Sequence, residues 1–129
     1  MVWYSLASLA LLLFQTLLTG SLLAKQVGAA DQTGTRDELP EPTVELGRAQ
    51  RAVANFQETL PIFLTIALLV VVKGVGGTLV QLGGLLYIAG RIAHLYCYMK
   101  ALSPWRSYAY GVSMIGILLL VIALVPALL

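Results

Sequence analysis

The sequence predicts an all-α membrane protein, a bundle of four transmembrane helices. Three observations carry that prediction. The chain has 129 residues, of which 59% are hydrophobic and only 11% charged, whereas soluble domains are nearer half apolar and a quarter charged. Its mean hydropathy is +0.87. Its apolar residues fall into four runs, each close to the ~20 residues that cross a bilayer core. The length suits one domain, so residues 1–129 form a single transmembrane unit.

The first run covers residues 2–24 and is apolar apart from its Ser and Thr residues, Gln15 and Gly20. It lacks a basic leading region and exceeds the ~7–15 apolar residues of a signal peptide, so it is expected to stay as a spanning helix. Residues 25–44 then change character: Lys25, Asp31, Arg36, Asp37, Glu38, Glu41, Pro40 and Pro42 predict a solvated loop. Thr43 is a candidate N-cap for a second helix over residues 45–73. Pro61 lies inside that helix and removes one backbone hydrogen bond, which predicts a bend. Lys73 to Gly77 form a turn, and a third helix follows over residues 78–100. Gly83, Gly84, Ala89, Gly90 and Ala93 stud it, and small residues let membrane helices approach closely. Ser103 suits an N-cap and Pro104 a first helical position, so a fourth helix is expected over residues 104–129. Trp105, Tyr108 and Tyr110 in its first turns suit a membrane interface.

Basic residues set the orientation. Lys25, Arg36, Arg48, Arg51, Lys100 and Arg106 gather at one end, with Arg91 nearby, against Lys73 alone at the other. Loops 25–44 and 100–104 are therefore expected in the cytoplasm and both termini outside.

Three polar stripes open on that cytoplasmic end. At ~100° per residue, Arg48, Arg51, Asn55 and Glu58 fall within an arc of roughly 80° on the second helix. Tyr87, Arg91, His94 and Tyr98 fall within roughly 60° on the third. Arg106 and Tyr110 share a face one turn apart on the fourth. Ionisable groups at membrane depth are costly unless they face a bundle interior or a wet cavity, so they mark a functional site. Snorkelling to lipid phosphates accounts for Arg48 and Arg106 but not for Arg91, Asn55 and Glu58, which lie two turns or more inside. The arginines outnumber the single embedded carboxylate, and unpaired buried charge is expensive, so an anionic guest is expected. A small peptide with two carboxylates and a free amine fits: Arg forks take carboxylates, Glu58 takes the amine, and Asn55 and tyrosine hydroxyls take amides.

Other chemistry is disfavoured. A net charge of +2 with no basic run argues against nucleic acid. One Cys and one His make no metal cluster, and a lone Cys97 makes no internal disulfide. Cys97 is expected to be a small buried hydrophobe, Tyr87 a core residue, and His94 a hydrogen-bond partner to a neighbouring helix.

The residues also match a known pattern. Arg48-xx-Arg51-Ala-xx-Asn55-xx-Glu58-xx-Pro61-x-Phe63, with Arg91-xx-His94-xxx-Tyr98 and Arg106-Ser107-xx-Tyr110, resembles the MAPEG family (membrane-associated proteins in eicosanoid and glutathione metabolism). Asp37-Glu-Leu-Pro40 and His94-Leu-Tyr96-Cys-Tyr98 resemble its short bacterial members. The chain departs from the eicosanoid branches at Ala54, where one branch has Arg, and at Lys25, the nearest counterpart of an Arg at the end of the first helix.

The resemblance implies a homotrimer in the bacterial inner membrane, with glutathione as co-substrate bound between subunits. It implies that Arg48, Arg51, Asn55, Glu58, Arg91, His94 and Tyr98 line the glutathione site, with Arg106, Ser107 and Tyr110 at the reacting sulfur. The activity implied is a transferase or peroxidase acting on a small hydrophobic substrate that arrives through membrane lipid. The alternative is a non-catalytic lipid- or anion-binding protein, or an accessory subunit, of the same fold.

Overall fold

The computed structural model describes residues 1–129. The chain is all-helical: α1 Val2–Val27, α2 Ala29–Thr33, α3 Val44–Val72, α4 Thr78–Met99 and α5 Trp105–Leu124, ending in a 3₁₀ turn Val125–Ala127. α1, α3 and α5 are long and apolar enough to cross a membrane, and the chain is an integral membrane protein. α4 is not in that set; Arg91, His94 and its glycines dilute an otherwise apolar helix of 22 residues.

Local chemistry accounts for most helix ends. Thr43 caps α3, its side chain accepting from the Leu46 N–H at 3.2 Å, the role expected of it. α1 runs on through Lys25 and stops at Gly28, whose φ of 88° suits glycine and whose N–H returns to the Ala24 carbonyl. The segment expected to be loop is thus partly helical, with α2 following directly. Gln26 ties the ends of α1 and α3 together: its Nε2 donates to the Glu41 carbonyl at 2.8 Å and its Oε1 accepts from the Thr43 N–H at 3.1 Å. At α5 the expected Ser103 cap is not used. Pro104 takes the cap position and no side chain caps the helix. Backbone carbonyls do the work instead, Arg106 N–H donating to Leu102 at 3.0 Å and Ser107 N–H to Pro104 at 2.9 Å.

α3 is the spine. Phe56, Leu60, Phe63, Ala67 and Val70 follow one another at three- and four-residue steps and form its buried face. They meet Val80 and Tyr87 of α4 and Leu120 and Leu124 of α5. Tyr87 is fully buried and stacks on Phe63 with ring centroids 3.8 Å apart, the core position expected of it. Pro61 sits inside α3 on the exposed side without ending it.

α4 and α5 form the tightest pair. A Cβ on Gly116 would stand 2.6 Å from the Gly83 carbonyl oxygen, and one on Gly90 would stand 2.7 Å from the Ser113 nitrogen. The two backbones therefore touch at two levels, which side chains larger than hydrogen would forbid. This seam faces Arg91 and His94 of α4 toward Tyr110 of α5.

The testable consequence is steric. Gly116→Ala must force the seam open and is expected to cost about 1–3 kcal/mol, as overpacking does. Thermal melting in detergent should fall for Gly116→Ala and stay unchanged for Gly76→Ala, where an added Cβ meets nothing within 4 Å.

Candidate functional site

The polar residues converge where the N-terminal half of α3, the C-terminal half of α4 and the start of α5 meet. On α3 the stripe Arg48, Arg51, Asn55 and Glu58 runs one residue ahead of the buried Ala49, Ala52, Phe56 and Thr59. It therefore lies along one flank of the packed face. Arg48 and Asn55 are half-buried, while Arg51 and Glu58 are exposed. On α4 the stripe is the packed face itself: Tyr87, Arg91 and His94 are buried, and only Tyr98 emerges.

Two adjoining clefts open there. The first, about 260 Å³, is lined by Arg48, Arg51, Cys97, Tyr98, Ala101, Leu102, Ser103 and Arg106. The second, about 210 Å³, is lined by Asn55, His94, Tyr98, Arg106, Ser107 and Tyr110. Tyr98 and Arg106 belong to both, and the Arg106 guanidinium carbon lies 4.6 Å from the centre of the Tyr98 ring. That contact holds the Arg106 cation against an aromatic face in the wall shared by the two clefts. Three guanidiniums thus line this space, and no carboxylate does. Arg48 is partly engaged, donating from Nη1 to the Met99 carbonyl at 3.4 Å, at the C-terminal end of α4 where carbonyls lack partners.

Arg91 stands behind this wall. It is 1% exposed and lines neither cleft. Its Nη2 donates to Asn55 Oδ1 at 3.0 Å, while Nε and Nη1 are buried without a partner. Its guanidinium carbon is 4.9 Å from the Phe56 ring centre and 5.7 Å from that of Tyr110. Aromatic faces take the place of counter-ions here. His94 is also buried, with its ring edge-on to Tyr98 at 5.4 Å and tilted against Tyr110 at 6.2 Å. Its neighbours are aromatic rings, where a hydrogen bond to an adjacent helix was expected.

The structure thus brings Arg48, Arg51, Asn55, His94, Tyr98, Arg106, Ser107 and Tyr110 to the two clefts. It sets Arg91 one layer deeper and leaves Glu58 on the exposed flank of α3. Phe56 was not among the candidate residues, because an apolar residue on a core stripe carries no signal of the cation above it. Cys97 is half-buried in the wall of the arginine-lined cleft, and is not the buried filler expected. Its place next to Tyr98 at the end of the α4 stripe was the available clue.

A family model described as MAPEG family matches residues 1–126. No curated protein and no solved structure gives a significant match.

Three converging cations predict affinity for small multivalent anions. Citrate is expected to raise the melting temperature of the wild type by ligand linkage, and Arg51→Gln to shrink that rise. Differential scanning fluorimetry across a citrate series reads both.

Proposed function

The chain belongs to the MAPEG family, and from that premise we propose that it is a glutathione-dependent transferase or peroxidase of the membrane, acting on hydrophobic electrophiles. The observation that carries the reading is the pair of clefts lined by Arg48, Arg51 and Arg106 with no acidic residue in their walls. Such a site is complementary to an anionic peptide, and glutathione has two carboxylates, an amine and a thiol.

Each residue then has a task. Arg48 and Arg51 offer forks to carboxylates. Asn55 and Tyr98 hydrogen-bond the peptide. Arg106, aided by Ser107, stands beside the sulfur and favours thiolate over thiol, lowering a pKa that starts near ~8.5. Tyr110 steadies the sulfur or the second substrate, and His94 keeps the aromatic wall in place. The thiol proton passes to water. The sulfur then bonds to the electrophilic carbon as the bond to the leaving group breaks. With a hydroperoxide instead, two thiols are oxidised to the disulfide while the hydroperoxide becomes an alcohol and water.

The membrane setting fits this reading. α4 is 22 residues long, about 33 Å at 1.5 Å per residue, enough for a ~30 Å core. That length supports four spans, the clustered basic residues support clefts on the cytoplasmic side, and the resemblance to short bacterial members supports an inner-membrane location. Gln50, Arg51, Gln57 and Glu58 are exposed along α3. Lipid does not accommodate such a face at depth, so neighbouring copies of the chain cover it in a homotrimer, and Glu58 receives the ligand amine at the junction.

Titration calorimetry of detergent-purified protein with glutathione should show binding. Turnover of a chlorodinitrobenzene electrophile should fall roughly 100-fold or more in Arg106→Ala, the scale for removing one preorganised charge-stabilising group. Arg106→Lys should keep part of it. Wild-type protein that holds lipid or another anion, with no thiol dependence, would instead favour the binding-protein reading. Native mass spectrometry should record three chains per particle, and a monomer would remove the junction and the role of Glu58.

A further inference from the structure

We propose that Arg91 is a positioning residue: it fixes the orientation of the Asn55 amide so that the cleft always meets a hydrogen-bond donor there. The inference rests on reading the clefts as the glutathione site. It assigns the ligand atom at Asn55 as an acceptor, a carboxylate or peptide carbonyl oxygen.

A guanidinium carries N–H donors and no acceptor. The Asn55 atom 3.0 Å from Arg91 Nη2 must therefore be the carbonyl oxygen. The NH₂ of the same planar amide is then the group left to face away from Arg91. Asn55 lines the second cleft and Arg91 lines neither, so that NH₂ is what Asn55 has to offer a ligand. Turning the amide over would set donor against donor beside a buried positive charge. In surroundings of low dielectric that arrangement is strongly disfavoured.

Arg91 has no freedom to relax away. It is 1% exposed, it is flanked by the rings of Phe56 and Tyr110, and its Nε and Nη1 have no other partner to turn to. Asn55 is the one side chain it hydrogen-bonds. A free Asn presents either face to a ligand and accepts or donates as needed. This one is held in a single state before the ligand arrives, which spares the ordering cost on binding.

Asn55→Asp tests the idea with almost no change of shape. It keeps an oxygen toward Arg91, now charged, and replaces the donor on the cleft side by a second anionic oxygen. Asn55→Leu removes both functions. Melting should be at or above wild type for Asn55→Asp and below it for Asn55→Leu. Asn55→Asp melting below Asn55→Leu overturns the pairing. Glutathione affinity by calorimetry should fall about 30-fold or more in Asn55→Asp, since a donor to an anionic or carbonyl oxygen becomes a repulsive acceptor. In turnover the loss should sit in KM, with kcat within about three-fold, because the contact is made in ground and transition states alike. Wild type that binds glutathione together with Asn55→Asp binding within about two-fold overturns the positioning role alone. Wild type that does not bind glutathione overturns the reading of the site, and the ligand assignment falls with it.

Discussion

A cation enclosed in an apolar bundle has to be stabilised by something, and the structure around Arg91 is the answer this chain gives. Phe56 and Tyr110 supply ring faces, Asn55 supplies an oxygen, and no carboxylate takes part. The rest of the site follows from that enclosure. Phe56 belongs to the packed stripe of α3, so the core that holds α3 in register also shields the guanidinium. Tyr110 reaches Arg91 because α4 and α5 touch backbone to backbone at Gly90 and Ser113, one residue away from it. His94, next along the same face of α4, fills the gap between Tyr98 and Tyr110 and completes an aromatic wall between the deep charge and the shallow ones.

Much of this was legible in the sequence, and the limits are physical. Helical periodicity gave the stripes, since residues at three- and four-residue steps share a face whatever they touch. Thr43 announced the start of α3 because a capping side chain acts locally. The glycines of α4 announced close packing, although not which helix would use them. Depth was harder. Arg51 and Arg91 look alike in a helical projection, yet one is exposed and the other is sealed. The difference comes from the neighbours: the α3 stripe lies on a flank, while the α4 stripe is the face that packs. Ser103 misled for a related reason. A cap motif is a local preference, and the backbone of the tight turn before α5 met the first N–H groups itself. The continuation of α1 past Lys25 was recoverable from Gly28, a residue suited to ending a helix in the left-handed region.

Family membership and geometry bear on different questions. The MAPEG match covers nearly the whole chain and assigns it to a family of membrane proteins of glutathione and eicosanoid metabolism. It does not say which residues touch a ligand. The geometry separates a layer that can meet one, with Arg51, Arg106 and Tyr98 in the cleft walls, from a layer that supports it, with Arg91 and Phe56 behind. The motif Arg91-xx-His94-xxx-Tyr98 spans both layers, which is why its members cannot share one role.

The glycine seam between α4 and α5 also bears on how the chain is made. α4 is the one long helix outside the set apolar enough to cross a membrane, and it carries Arg91 near its middle, a burden of ~2.5–3.5 kcal/mol for a lone helix partitioning from the translocon. α5 is the most apolar and leaves the ribosome next. Because the closest backbone contacts of α4 are with α5, the partner that shelters its embedded cation is the segment that follows it in the chain.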